Sequence, residues 1–249
     1  MENSKSKLSQ YEFVKDIPKN LVRVPTFLTG DFGRDFLEEY NGRVKTDYKD
    51  ADLLNVLRAR GGKVVGSNSF AVVLANKILR QEGLRTATPA DVERILRQGD
   101  LDLGGVYVDS ALVLRSADAP NEYLAKDLIK KLGNQKLPVM IPLAGLDLRV
   151  DSSAPHGLAF DVRSDTEIIY NKILNSRDGR FDSKDIDEKT GLPKELSGSE
   201  RGFWTRGSGL SWFFLDGDSN LDSDGGDLGG SIGSGRVVVA DAEGVAPKN

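Results

Sequence analysis

The stretch TPADVERILRQGDLDLGGVYVDSALVLR, residues 88–115, changes its hydrophobic period part-way along. Val92, Ile95 and Leu96 recur at helical spacing, Thr88 and Asp91 occupy capping-box positions around Pro89, and Gly99 offers a stop. From Val106 the period drops to two. Val106, Val108, Leu112 and Leu114 share one face of an extended chain, with Tyr107, Asp109 and Arg115 on the other. A helix gives way to a strand, and the rest of the chain divides around that point.

Upstream the patterns are helical. Asp50 is placed to cap a helix with apolar stripe Leu53, Leu54 and Leu57 and stop Gly61. A second helix starts near Ser69, carries Phe70, Val73, Leu74 and Ile78 on one face and ends at Gly83. Downstream, a helix is expected over about 119–132. Alternating strands follow at 146–151 and 158–163, and 166–174 reads equally as strand or helix. Residues 175–202 form a polar excursion where mobility is expected. Apolar strands are expected at 210–215 and, centrally in a sheet, at 236–240. Helices leading and strands following imply an α+β fold, an N-terminal helical portion before a mainly antiparallel sheet. The expected organisation is a flexible arm over 1–10, one domain over 11–240 and a tail over 241–249.

Composition narrows the function classes. The 249 residues are 39% hydrophobic and 29% charged, with 34 basic and 38 acidic side chains for a net charge of -4. That balance speaks against a nucleic-acid binder or a polybasic membrane-surface protein. There is no cysteine, which removes disulfides, thiol catalysis and thiolate metal sites and fits a cytoplasmic location. A single histidine, His156, rules out any site needing two imidazoles from one chain. It reads as a turn residue. The densest apolar stretch, Phe70–Ala75, is far short of the ~20 residues of a membrane span, and the N-terminus has no signal-peptide character.

The segment with visible chemistry is DGDSNLDSDGGD, residues 216–227. In an extended chain Asp216, Asp218, Asn220, Asp222 and Asp224 would line one edge, and their repulsion would call for water, Lys or Arg, or a divalent cation such as Ca2+ or Mg2+/Mn2+. The favoured reading is a solvated surface loop. A calcium loop is the second: Asn220, Asp222, Asp224 and Gly225 match the first half of an EF-hand loop in type, but Ser231 stands where the bidentate Glu belongs. The third is catalytic. Trp212–Asp218 resembles, over seven residues, the D-x-D element of nucleotide-sugar glycosyltransferases, which implies a metal held on a diphosphate. That family places an acceptor-binding half after this element, where 31 residues follow Asp218 here. Upstream, Arg201 and Arg206 flank Phe203 and Trp204 in a glycine-rich stretch. They are candidate anion contacts, or the neutralising partners of the nearby carboxylates.

Two weaker features complete the reading. Between Lys77 and Arg97 stand five basic residues (Lys77, Arg80, Arg85, Arg94, Arg97) and three acidic ones. That surplus is thin for DNA phosphates, so the flanking helices read as a packed αα-hairpin rather than a helix-turn-helix. Gly61-Gly62-Lys63 lacks phosphate-loop spacing. The first expectation is a non-catalytic cytoplasmic binding or structural protein. The competing one is a divalent-metal-dependent enzyme acting on a phosphorylated or nucleotide substrate, with Asp216 and Asp218 as metal ligands and Arg201 and Arg206 as anion contacts.

Overall fold

Both periods of residues 88–115 persist in three dimensions, in a computed structural model that describes residues 6–10, 26–49, 51–99 and 103–241. Asp50, residues 1–5 of the expected arm and residues 242–249 of the expected tail lie outside the described residues. In chain order, β1 (Thr26–Phe27) and α1 (Gly30–Asp47) lead to the hairpin β2 (Arg58–Arg60) and β3 (Lys63–Val65). Next come α2 (Ser69–Leu79), β4 (Leu84–Thr86), α3 (Pro89–Gln98), β5 (Val108–Leu114), α4 (Glu122–Leu132) and β6 (Val139–Pro142). A second hairpin, β7 (Leu146–Val150) and β8 (Leu158–Val162), precedes β9 (Ile169–Tyr170), β10 (Gly179–Phe181) and β11 (Arg201–Trp204). The chain then forms β12 (Leu210–Leu215), β13 (Leu221–Asp222) and β14 (Val238–Asp241).

A seven-stranded sheet runs β10-β11-β13-β12-β5-β6-β9, antiparallel except where β11 meets β13. A three-stranded sheet places β14 between β1 and β4, the central position expected for a strand apolar on both faces. The fold is α+β.

The large sheet separates two cores. Leu112 and Leu114 of β5, with Val139 and Ile141 of β6, pack toward α1, α2, α4 and the β7–β8 hairpin. Ala111 and Val113 of β5, with Met140, Phe213 and Leu215, pack toward Val92 and Ile95 of α3 and toward Phe181, Ile186 and Leu192. A strand sandwiched in this way has no solvent face. Asp109 is therefore buried, as is Arg115 just beyond its end. Burial pushes the Asp109 carboxyl up to about 6 against the opposing effect of the Ser67 hydroxyl that donates to it.

Four expectations are corrected. Residues 51–61 are not a helix. Asp52–Leu54 is a single 3-10 turn, and Gly61 and Gly62, at φ 57° and 72°, make the two-residue loop of the β2–β3 hairpin, a conformation side-chain-bearing residues resist. The helices at 69–79 and 89–98 are not an αα-hairpin, because β4 lies between them and pairs with β14. The excursion 175–202 contains β10 and the start of β11, and it is fastened by fully buried Phe181 and Leu192. Residues 6–10 are not a loose arm: Leu8 is fully buried, and Ser6 and Lys7 bond Glu39 and Glu38 of α1.

Candidate functional site

The acidic segment 216–227, singled out by the sequence, lies at the end of β12. Leu215 pairs with Leu221, so Asp216–Asn220 is the loop of the β12–β13 hairpin rather than an extended edge. The composition explains the turn. Asp216 Oδ1 accepts the N–H of Asp218 at 2.9 Å and of Asn220 at 2.8 Å, and Oδ2 accepts the Asn220 side-chain amide at 3.0 Å. Asn220 Oδ1 in turn accepts the Gly202 N–H at 2.6 Å. The five oxygen-bearing residues therefore do not share one edge. Asp216 and Asn220 are bonded into the turn, and Asp218 is exposed. Asp222 and Asp224 alone keep the alternate-residue relation, with Asp222 Oδ1 accepting the Asp224 N–H at 2.9 Å. Burial, then the adjacent Asp224 and Asp216 carboxylates, push the Asp222 carboxyl up to about 7. Among the described residues, no group of three or more His, Asp or Glu side chains is arranged to hold a metal ion.

Of the two arginines of this neighbourhood, Arg201 is fully engaged and Arg206 in part. Arg201, on β11, forms a buried bidentate pair with Glu93 of α3, both contacts at 2.7 Å, and its Nε donates to the Ser219 carbonyl. Its guanidinium also lies 4.7 Å from the centroid of the Phe181 ring. Arg206 donates from Nη1 to the Asp224 carbonyl at 2.7 Å, while its Nε is buried without a partner. Trp204, between them, is 38% exposed. Nearby, buried Arg115 is held by the Leu174 carbonyl and the hydroxyls of Ser211, Thr205 and Ser223. Burial, and then Arg206, lower its pKa to about 10. His156 lies exposed in the β7–β8 turn at φ 66°, its ring edge-on to Phe70.

A cavity lies elsewhere among the described residues. A cleft of about 650 Å³ opens between the chain from Arg80 to Arg94, the β6–β7 connection with the segment after β8, and the loop at residues 188–190. Each wall has a local cause. Gly83, at φ 70°, turns the chain out of α2 and delivers Arg80 and Arg85 to one wall. Thr88 caps α3 with a complete capping box, which fixes Asp91 beneath Arg85 and Arg94. Burial opposes ionisation of Asp91, but the Arg85 guanidinium and the Thr88 groups more than offset it and hold the carboxyl below its usual range. On the second wall, Gly145 abuts Thr166 so closely that a Cβ there would stand 2.3 Å from its methyl. Arg163 reaches the cleft from the same wall. On the third, Asp187 Oδ1 accepts the N–H groups of Lys189 and Thr190, shaping a loop whose Gly191 lies against the Pro89 backbone.

Four arginines and Lys189 thus meet Asp91, Asp165, Glu167 and Glu188 in the lining. The acids do not cancel the cations evenly. Glu188 pairs with Arg97, which is outside the lining, and Asp91 is shared by Arg85 and Arg94. Arg163 holds Asp165 at 2.6 Å. Among the described residues, Arg80 and Lys189 have no ion-pair partner, and the Nε of Arg85 is buried with no acceptor. Such donor-rich concavity can grip an anion bidentately. The sequence marks part of this wall, since Arg80, Arg85 and Arg94 belong to the basic surplus of residues 77–97. It gives no sign that Arg163 and Lys189 join them.

No protein-family model, curated protein or solved structure matches this chain.

Proposed function

We propose that the protein is a non-catalytic cytoplasmic binding protein whose ligand is a small organic anion held in the arginine-lined cleft. One observation carries this reading: cationic side chains from three separate parts of the chain line one 650 Å³ cavity, and two of them, Arg80 and Lys189, have no ion-pair partner among the described residues. That volume lies within the range of small-molecule sites. Unmatched donors against a cavity are a standing demand for an acceptor, which an anion supplies. The experiment is thermal unfolding against a panel of phosphate-, sulfate- and carboxylate-bearing compounds. A compound that binds only the folded state, at 100 times its dissociation constant, adds about 2.7 kcal/mol. Arg80→Ala should lose part of that gain, because Arg80 lines the cleft without an ion pair among the described residues. A panel with no active member overturns the reading.

A divalent cation beside Asp222 and Asp224 is a second reading, favoured by the crowding of their carboxylates. It supports a metal-dependent role for Asp216, Asp218 and Asn220 only if the hairpin turn opens, because their bonds now close it. Titration with Ca2+, Mg2+ and Mn2+ tests it: a stabilisation retained in Asp222→Asn would remove this reading.

A further inference from the structure

The lining of the cleft says more than that its ligand is anionic. We infer that the ligand is a phosphorylated polyol, a sugar phosphate or the ribose-phosphate portion of a nucleotide; this rests on the cleft being the binding site. Three features carry it. First, Arg80, Arg85 and Arg94 line the cleft from successive elements, the turn after α2, β4 and α3, with Arg85 and Arg94 held on Asp91 and Arg80 without an ion pair among the described residues. A planar carboxylate satisfies one guanidinium fork, whereas a tetrahedral phosphate offers oxygens in three directions and suits several. Second, the cleft also presents carboxylates. Glu167 is exposed and has no bonding partner among the described residues, and Asp165 is held only from one side by Arg163. Carboxylates repel a ligand that is anionic throughout, but they accept hydrogen bonds from hydroxyl groups. The ligand therefore has two ends, one anionic and one rich in O–H donors. Third, Pro142, Ala144 and Ile169 supply apolar surface without side-chain donors, against which the C–H face of a sugar or base can lie. A cavity of 650 Å³ exceeds what a bare phosphate ion needs and matches an organic ligand.

The test is calorimetric titration of the full chain with inorganic phosphate, ribose, ribose 5-phosphate, AMP and citrate. Ribose 5-phosphate and AMP should bind at least about tenfold more tightly than inorganic phosphate, the worth of one or two hydrogen bonds to charged groups. Ribose should show no binding. Equal affinity for ribose 5-phosphate and AMP assigns a sugar phosphate; preference for AMP assigns a nucleotide. The double variant Asp165→Asn/Glu167→Gln should lose about tenfold for ribose 5-phosphate and nothing for inorganic phosphate. Arg80→Ala, at an exposed position, should weaken every phosphate-bearing probe. If citrate or inorganic phosphate binds as well as ribose 5-phosphate, or if the double variant binds ribose 5-phosphate unchanged, the polyol inference is overturned while the anion reading stands. If none of the anions binds, both fall.

Discussion

At the β12–β13 turn, clustered carboxylates are answered by the backbone; in the cleft, clustered cationic groups are answered only in part. Asp216 takes N–H groups two and four residues on, and Asp222 takes one two residues on. Arg201, beside them, takes a buried carboxylate in both of its forks. In the cleft, one buried carboxylate, Asp91, serves two arginines, and Arg80 and Lys189 are left without ion pairs among the described residues. Charge density alone does not mark a binding site. The residue of unmet hydrogen-bonding capacity against a cavity does, because matched groups contribute to the fold and unmatched ones are available to a ligand.

The sharpest way to break this contrast is at Glu93. Glu93→Ala leaves Arg201 buried and unpaired, with a cost of about 3–5 kcal/mol. Urea unfolding measures it. A cost below about 1 kcal/mol would mean that Arg201 finds other partners, and the acidic neighbourhood would no longer count as a matched region.

Asp222 probes the same region through pH. Its folded-state pKa lies above the unfolded value of about 3.9, so the folded protein holds a proton there that the unfolded chain releases. Stability contributed by this group is therefore fully present below about pH 4, falls as pH rises toward about 7, and stays low beyond. Asp222→Asn reproduces the protonated form: its carbonyl still accepts the Asp224 N–H, and its amide can donate to Asp224. The variant should be more stable than the parent by about 2 kcal/mol at pH 8, after allowing for partial exposure, and equal to it near pH 3.5. A gain independent of pH would point to a cause other than the carboxyl.

Thr88→Ala tests a scaffold of the cleft. It removes the hydroxyl that bonds the Asp91 N–H and carboxylate, at a cost of about 1 kcal/mol, read from the unfolding midpoint. This cap was legible in the sequence because its chemistry is local: Thr88, Pro89, Asp91 and Gly99 fall at fixed offsets along one helix. The β7–β8 hairpin and the terminal strand were legible for the same reason. The helix expected at 51–61 failed because two adjacent glycines serve a helix stop and a hairpin loop equally well. The burial of both faces of β5 was not legible, because the second core that covers one of them is built from Phe181, Ile186, Leu192 and Phe203, some 70 to 90 residues on. The acidic segment was visible as composition, but its parity argument assumed an extended chain, and the side chain of Asp216 bends it. The cleft was half visible, as a basic surplus over 77–97. Its remaining cations arrive through tertiary contacts.

The smallest expected effect is the most informative about the cleft. Arg80 is exposed and has no ion pair among the described residues. Arg80→Ala should therefore change the stability of the free protein by no more than about 0.5 kcal/mol, as for a surface substitution that breaks no specific contact. It could even stabilise, because it removes a positive charge from beside Arg85, Arg94 and Arg163. A matched arginine behaves in the opposite manner: its loss costs stability with or without ligand. With an anion bound, the two proteins should separate, the parent gaining stability by linkage and the variant gaining less. A variant that loses stability in the absence of ligand would show that Arg80 holds the fold, and the contrast between the two regions would fail at that residue.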